Sequence, residues 1–220
     1  MRVLSKSRFK TGLECPNKLY FYGDKNYANQ KDENTFLTSL AEGGFQVEAL
    51  ARLYYPEGVF IDAKPGDYKD AFAKTQKALE NENVVIYEAS FLYEGLYVMT
   101  DILVKRGSKI KIVEVKAKSF DPAEDHEFIG KRGNITSEWR SYLFDITFQK
   151  YVVQRCYKDL TIDACFMMAD KTKVATIEGL NQKIRLPLSG DIRRDVLVNL
   201  TAEQAQETSV LSEVNVNSIV

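Results

Sequence analysis

The stretch TDILVKRGSKIKIVEVKAKS, residues 100–119, decides the fold that we expect for this chain. Two runs rich in β-branched residues flank Gly107-Ser108, a pair typical of a two-residue hairpin turn with glycine where positive φ is needed. Counting outward from that turn pairs Asp101 with Glu114. Directly opposed residues share one sheet face, with Cβ atoms about 5 Å apart. The sequence therefore predicts two facing carboxylates on neighbouring strands.

Facing carboxylates repel each other, and a divalent cation is a natural way to remove the repulsion. Alternation along the strand puts Lys116 on the same face as Glu114. A lysine there can orient an attacking water while a metal stabilises charge on a phosphate, which is the chemistry of a phosphodiesterase. The alternative is a solvated face on which Lys116 neutralises Glu114. A one-residue change of register would remove the opposition altogether.

Length and composition set the outer limits. The chain has 220 residues, 45% hydrophobic and 28% charged, which is typical of a soluble globular protein, and we expect one domain over 1–220, with two small ones as the alternative. Its net charge of -1 gives no global basic field. Three widely spaced cysteines do not form a disulfide framework. No apolar run approaches a membrane span, so we expect a cytoplasmic protein without a membrane partner.

Patterning along the chain predicts an α/β (α+β) fold with a central mixed sheet flanked by helices. The expected core covers about 36–169, after a basic and aromatic N-terminal arm at 1–30. The C-terminal tail, 190–220, is expected to be partly disordered. Gly43-Gly44 weakens the first helix and suggests either a break or the close approach of another backbone. Helices are expected at 35–58, 68–81 and 135–159, and extended runs at 84–93, 96–106, 109–119 and 160–169.

The motif of Asp101 followed by Glu114-Val115-Lys116 resembles the PD-(D/E)XK nuclease superfamily, and the stretch GFQVE resembles the helix motif of its RecB-like members. There Glu48 stands at the position where RecB-like members have a metal-binding histidine. The resemblance implies a restriction-endonuclease-like core and an Mg²⁺ or Mn²⁺ ion. Its expected ligands are Glu48, Asp101, Glu114 and the carbonyl of Val115.

The same resemblance suggests catalytic roles for the ligands and for two further residues. Lys116 would position the water, and Gln149, on the following helix, would orient the nucleophile, Lys116 or the DNA backbone. Glu88 could join the carboxylates or face solvent. His126 lies in an acidic loop without recurring metal-ligand spacing, so a metal site there has little support.

The N-terminus resembles that of CRISPR-associated and helicase-linked exonucleases, in which a cysteine corresponding to Cys15 is the first of four iron–sulfur ligands. A four-thiolate cluster needs four cysteines, and this chain has Cys156 and Cys165 besides Cys15. We therefore expect no iron–sulfur cluster in this chain, unless the chain is a fragment. The arm also mixes aromatic residues with Lys6, Arg8, Lys10 and Lys18. These lysines and the arginine could contact nucleic acid, or they could form the solvated edge of a buried aromatic anchor.

Together these patterns predict a divalent-metal-dependent nuclease that hydrolyses DNA phosphodiester bonds, in DNA repair, recombination or defence. RNA is an alternative substrate, and a helicase or another nucleic-acid-processing protein is a possible partner. A second hypothesis is a catalytically inactive nuclease-fold module that binds nucleic acid or a protein. A third is an unrelated α+β enzyme in which the carboxylates do not converge.

Overall fold

The computed structural model of the chain describes residues 3–27, 35–64, 66–122 and 128–220, the side chains of residues 35–38 excepted. His126 lies outside the described residues. The helices are α1 (Lys6–Glu14), α2 (Pro16–Tyr20), α3 (Thr35–Arg52), α4 (Tyr68–Ala78), α5 (Ser137–Cys156) and α6 (Ala202–Thr208). The strands are β1 (Leu4–Ser5), β2 (Val59–Phe60), β3 (Asn83–Tyr87), β4 (Ser90–Tyr93), β5 (Leu96–Met99), β6 (Ile102–Arg106), β7 (Lys109–Phe120), β8 (Thr161–Asp170), β9 (Ile184–Arg185), β10 (Leu197–Val198) and β11 (Leu211–Asn215).

The fold is mixed α/β, as the sequence predicts, and its centre is a six-stranded mixed sheet. The strand order is β11-β8-β7-β6-β3-β2, in which β7 pairs parallel with β8 and β2 pairs parallel with β3. The other neighbours are antiparallel. A second sheet has the order β1-β5-β4, and β9 and β10 form a small two-stranded ladder. No helix of the described residues is long and apolar enough to cross a bilayer.

The hairpin register follows the count made from the sequence. Arg106 pairs with Lys109, and the ladder continues to the pair of Ile102 and Val113. Asp101 and Glu114 are therefore the next pair outward, just beyond the end of the ladder. Gly107 has φ 56°, a left-handed conformation that glycine adopts without strain. The predicted register is confirmed.

The two extended runs at 84–93 and 96–106 are each divided into two strands, which the sequence pattern does not predict. The first breaks at Glu88, whose φ is 58°, and the second breaks at Thr100 and Asp101. The breaks face each other, because the amide of Glu88 donates to the carbonyl of Asp101 at 3.2 Å. At this point the strand pair leaves the six-stranded sheet and enters the three-stranded one. Glu88 and Asp101 thus stand at the corner between the sheets.

Helices cover both faces of the six-stranded sheet. On one face, α3 packs Ala49 and Leu50 in the cluster that contains Val113 and Val115 of β7. On the other, α4 and α5 pack in the cluster that contains the alternate β7 residues Ile110 and Ile112. A third cluster joins the start of α5, including the buried Trp139, to Phe166 and Met168 of β8. Glu114 lies two and four residues after Ile112 and Ile110 in the same strand. Its side chain therefore lies on the same sheet face, which α5 covers.

The glycine pair in α3 neither breaks the helix nor admits another backbone. The helix runs unbroken through Gly43 and Gly44. Apart from the adjacent residues and the helix's own backbone, no atom of the described residues lies within 4 Å of a Cβ built at either position. The helix ends at Arg52, six residues before the end of the stretch 35–58, and 53–57 form turns and a bend.

The C-terminal tail differs from the partial disorder expected of 190–220. It contains β10, α6 and β11, and β11 pairs antiparallel with β8 from Leu211–Ala169 to Asn215–Cys165, forming one edge of the main sheet. A capping box between Thr201 and Gln204 starts α6. Of the five residues of β11 only Leu211 is buried, so this strand shows little hydrophobic pattern in the sequence.

Candidate active site

The corner between the sheets brings three carboxylates onto one guanidinium. The Nε atom of Arg193 donates to Glu48 Oε1 and Oε2 at 3.0 and 2.9 Å, and its Nη2 atom donates to Asp101 Oδ1 at 2.7 Å. The Oε1 atom of Glu88 lies 3.5 Å from the same Nε. The carboxylates come from α3, from the β3–β4 break and from the β5–β6 break, and all three residues are buried. Three buried carboxylates thus share one guanidinium of the chain itself.

The neighbouring arginines complete the pairing of these carboxylates. Arg52, one turn after Glu48 on α3, donates to Glu48 Oε1 at 3.1 Å. Arg194 donates from Nε to Glu88 Oε2 at 2.7 Å and also contacts that oxygen through Nη2. The second oxygen of Asp101, Oδ2, accepts the backbone N–H of Val115 at 2.8 Å. This bond fixes the Asp101 side chain against β7 on the side of Glu114.

Glu114 is the centre of a second group of charges on the α5 face. Its Oε1 accepts from Lys116 Nζ at 2.5 Å and from Lys6 Nζ at 3.0 Å. Its Oε2 accepts from Gln149 Nε2 at 2.8 Å. Glu114 is 1% exposed and Gln149 is fully buried. The predicted glutamate, lysine and glutamine are therefore in direct contact.

Asp145, one turn before Gln149 on α5, belongs to the same group, although the sequence motifs do not single it out. Its Oδ2 lies 3.2 Å from Lys116 Nζ and 3.6 Å from Lys10 Nζ. Glu114 and Asp145 together hold Lys116 between them. The i, i+4 spacing of Asp145 and Gln149 on one helix could have suggested this placement.

The electrostatics of the two groups differ. Burial, reinforced by repulsion from Asp101, raises the pKa of Glu48 to about 7 despite the attraction of Arg193. Burial and the charge of Glu114 also raise the pKa of Asp101. Burial alone would raise the pKa of Glu114, but Lys116 and Lys6 hold it well below its usual range. The charged form is therefore disfavoured at Glu48 and Asp101, mainly by burial, and favoured at Glu114.

One buried side-chain oxygen or nitrogen of the described residues has no hydrogen-bond partner, the Oε1 atom of Gln149. An unpaired buried carbonyl oxygen is costly and is often explained by a ligand or water. It belongs to the amide whose nitrogen binds Glu114, so it lies at the edge of the charged site. Carboxylate and amide oxygens are the ligands that Mg²⁺ and Mn²⁺ prefer, so the donor set fits such an ion.

The predicted metal ligands are arranged in two adjoining parts. Glu48 and Asp101 share Arg193, whereas Glu114 is held by Lys116 and Lys6. The arginine stands between the carboxylates, and no group of three or more His, Cys, Asp or Glu side chains within the described ranges is placed to hold a metal ion. Asp101 and Glu114 nevertheless interact electrostatically, because the charge of Glu114 adds to burial in raising the pKa of Asp101.

The basic residues of the N-terminal arm fall into two classes. Lys6 and Lys10 reach the carboxylates of the site, because Phe9 stacks on Phe148 of α5 at 4.3 Å and docks α1 there. Arg8 donates to the Val3 carbonyl at 2.9 Å. Lys18 is 61% exposed and pairs with Glu14.

Three arginines of the site are not indicated by any of the sequence motifs: Arg52, Arg193 and Arg194. The available signal for Arg52 is its i+4 spacing from Glu48 on a predicted helix. The signal for the others is the doublet in GDIRRD, which lies about 90 residues from the strands that it contacts. No local pattern indicates that contact.

The cysteines lie in three separate elements and are free thiols. Cys15 joins α1 to α2, Cys156 ends α5 and Cys165 lies in β8. Burial raises the pKa of Cys156 to about 11 and raises that of Cys165 further.

Comparisons of the chain with protein-family models, with curated proteins and with solved structures found no match.

Proposed function

We propose that this chain is a divalent-metal-dependent nuclease that hydrolyses DNA phosphodiester bonds, with a restriction-endonuclease-like core. The observation that carries the proposal is the convergence of Glu48, Glu88 and Asp101 on a single cationic group. Beside it lies Lys116, a partly buried lysine held by two carboxylates. A cation site adjoining a fixed ammonium is a combination suited to phosphodiester hydrolysis, because both groups can stabilise charge that develops on the phosphate.

The metal would be Mg²⁺ or Mn²⁺, with Glu48, Asp101, Glu114 and the Val115 carbonyl as its ligands. When bound, the ion supplies charge stabilisation at the phosphate and lowers the pKa of a water. We give Lys116 the role of placing the attacking water and stabilising developing charge. Glu114 and Asp145 fix its ammonium and, with Asp101, raise its pKa, outweighing burial, so it stays protonated and donates rather than accepts protons.

Gln149 is the proposed positioning residue. Its Nε2 holds Glu114, and its Oε1 is left to accept a hydrogen bond from the attacking water or from another group of the substrate complex. An amide accepting in this way orients the water without taking its proton.

The proposed substrate is DNA, with RNA as the alternative. The exposed Lys18 and the exposed aromatic residues Tyr20, Phe21 and Tyr27 offer phosphate contact and base stacking close to the site helix α1. A helicase or another nucleic-acid-processing protein is the proposed kind of partner, and repair, recombination or defence the proposed context.

A second candidate function is a nuclease-fold module that binds nucleic acid or a protein without cutting. The observation in its favour is that each carboxylate of the site is neutralised by an arginine or a lysine of the chain itself. A charge-balanced site of this kind is stable without a metal. The two candidates differ in whether an added divalent cation binds the folded chain.

The test is cleavage of a labelled DNA strand in Mg²⁺ or Mn²⁺ by the wild type, Asp101→Asn and Lys116→Ala. We expect both variants to lose cleavage by at least about 10²-fold, comparable to the loss of one charge-stabilising donor in other active sites. The control is Lys109→Ala, an exposed lysine at the other end of β7, which should cleave like the wild type. Undiminished cleavage by either site variant contradicts the nuclease proposal. DNA binding without cleavage by the wild type supports the binding module.

A further inference from the structure

The loop between β9 and β10, residues 186–196, is organised to present two consecutive arginines. Asp191 Oδ1 accepts the backbone N–H groups of Arg193 and Arg194 at 3.0 and 3.1 Å. Asp195 Oδ2 in turn accepts the N–H of Asp191 at 2.9 Å. These hydrogen bonds fix the turn from inside the loop, so its shape does not depend on the ion pairs that the arginine side chains make.

Arg193 occupies the place of a cation among the site carboxylates. It is bound by Glu48, Asp101 and Glu88, whereas the adjacent Arg194 donates to Glu88 and to neither of the other two. A divalent cation bound to Glu48 and Asp101 would remove the hydrogen-bond acceptors that hold the Arg193 guanidinium. One positive group must therefore leave when the other arrives.

A guanidinium that leaves carboxylates is suited to phosphate, since its planar fork matches both groups with paired hydrogen bonds. A cavity of about 460 Å³ adjoins the two arginines, within the range of small-molecule sites. Ser90, Tyr68 and Tyr97 line it as well. The two tyrosine rings lie 4.3 Å apart, so the cavity places aromatic surface beside the arginines. Its lining also contains Asp67, Glu88 and Asp191, so the arginines are free to bind a phosphate only when they leave their carboxylate partners.

We propose that Arg193 and Arg194 are contacts for a phosphate of the substrate strand, and that the metal-free chain keeps them on the site carboxylates until a divalent cation displaces Arg193. This inference rests on the proposed nuclease function. The loop of residues 186–196, which we call the arginine loop, then acts as a gate. Its arginines become available to the substrate only when the ion is bound. The gate prevents phosphate from entering a site without its metal.

The test measures two affinities of the full chain and of Arg193→Gln. Calorimetry gives Mn²⁺ affinity, and fluorescence anisotropy in Ca²⁺ gives the affinity for a short single-stranded DNA. We expect Mn²⁺ to bind at least about fivefold more tightly to the variant, because the fraction of chains with a free site rises. We expect DNA to bind more weakly, with a log–log salt slope reduced by about 0.7 for each phosphate that the variant no longer neutralises.

Three further variants sharpen the result. Arg194→Gln should weaken DNA binding and change Mn²⁺ affinity less than Arg193→Gln does. Arg193→Lys keeps the charge without the planar fork, so it should bind DNA weakly while its Mn²⁺ affinity stays close to that of the wild type. Arg185→Gln, an exposed arginine of β9, is the matched control and should change neither affinity.

Opposite changes in the two affinities support the gate, and a merely structural role of Arg193 would lower both. Unchanged or weaker Mn²⁺ binding by Arg193→Gln overturns the inference, while cleavage by the wild type would still support the nuclease. If neither protein binds Mn²⁺ and the wild type does not cleave, both the inference and the proposed function are wrong. Binding of Mn²⁺ by the variant alone supports the gate in its strongest form.

Discussion

Arg193 donates from Nη2 to Asp101 Oδ1 at 2.7 Å, although 92 residues separate the two in the chain. The bond joins the β9–β10 loop to the corner at which the strands divide. Because Asp101 also accepts the N–H of Val115, the same aspartate connects the loop, the corner and the Glu-x-Lys strand. The ion pairs of the site therefore also hold these parts of the fold together.

Replacing Arg193 by methionine should destabilise the metal-free chain by about 3–5 kcal/mol, the usual result of removing one partner from a buried ion pair. The change leaves Glu48 and Asp101, each 6% exposed, without their shared cation. Urea unfolding in the presence of EDTA measures the loss. Arg185→Met, at an exposed position in β9, should stay within about 0.5 kcal/mol of the wild type. A similar loss in both variants would contradict the assigned role.

The hairpin of β6 and β7 could be predicted from the sequence because neighbouring residues determine it. Gly107-Ser108 fixes the turn, and the alternation of apolar residues fixes which side chains share a face. The contact of Lys116 with Glu114 agrees with this register. The contact of Gln149 with the same glutamate agrees with the position that the family resemblance implies. The mixed sheet with flanking helices follows from the same periodicity.

The corner and the arginine loop could not be predicted in this way. An extended run such as 84–93 gives no sign that it changes sheets at Glu88, because β-branched residues before it and aromatic residues after it both favour strand. The role of Arg193 depends on contacts across the whole chain. The order of the C-terminal tail depends on β8, to which β11 adds as an edge strand. In each case the structure depends on tertiary contacts that the local sequence pattern does not indicate.

Lys6 and Lys18, both expected from the sequence to contact nucleic acid, should behave differently when changed to alanine. Lys6→Ala removes a partner from Glu114 and should cost about 1–3 kcal/mol in the free energy of unfolding. Lys18→Ala, at an exposed position, should leave stability within about 0.5 kcal/mol. Its expected effect is weaker DNA binding with a shallower salt dependence. Equal stabilities for the two variants would show that Lys6 does not pair with Glu114.

Two substitutions of Gln149 distinguish its effect on stability from its effect on cleavage. Gln149→Met loses the bond to Glu114 but also removes the unpaired Oε1, so we expect a change in stability of no more than about 1 kcal/mol together with slower cleavage. Gln149→Glu places a third carboxylate beside Glu114 and Asp145, and should cost about 3–5 kcal/mol. Thermal and urea unfolding, with the cleavage assay, distinguish the two. Normal cleavage by Gln149→Met would remove Gln149 from the proposed mechanism.

Replacing either glycine of the pair in α3 by alanine should stabilise the chain. Glycine inside a helix costs about 1 kcal/mol relative to alanine, and a Cβ at Gly43 or Gly44 meets no atom of the described residues within 4 Å. Each single alanine substitution should therefore raise the free energy of unfolding by about 0.5–1 kcal/mol. Gly58→Ala is the contrasting variant, since its Cβ would overlap the ring of Tyr87, and it should destabilise. Destabilisation by Gly43→Ala would show that α3 does not continue through this position.

Alkylation of Cys156 should report the packing of α5 against β4. The thiol is half-buried and donates to the Leu92 carbonyl, and burial raises its pKa to about 11. At pH 8 about one thiol in a thousand would then be ionised, against about a quarter for an ordinary cysteine in the unfolded chain.

Iodoacetamide at pH 8 should therefore modify Cys156 about two orders of magnitude more slowly in the folded chain than in urea, with the rate followed for each cysteine by peptide mass spectrometry. Because the pKa is raised, the neutral thiol persists as the pH rises, and the rate in the folded chain should climb about tenfold per pH unit up to about pH 11. Cys165, whose pKa is raised further by burial and by Glu213, should react more slowly still. Rapid modification of Cys156 in the folded chain would show that the end of α5 does not pack on β4 as described.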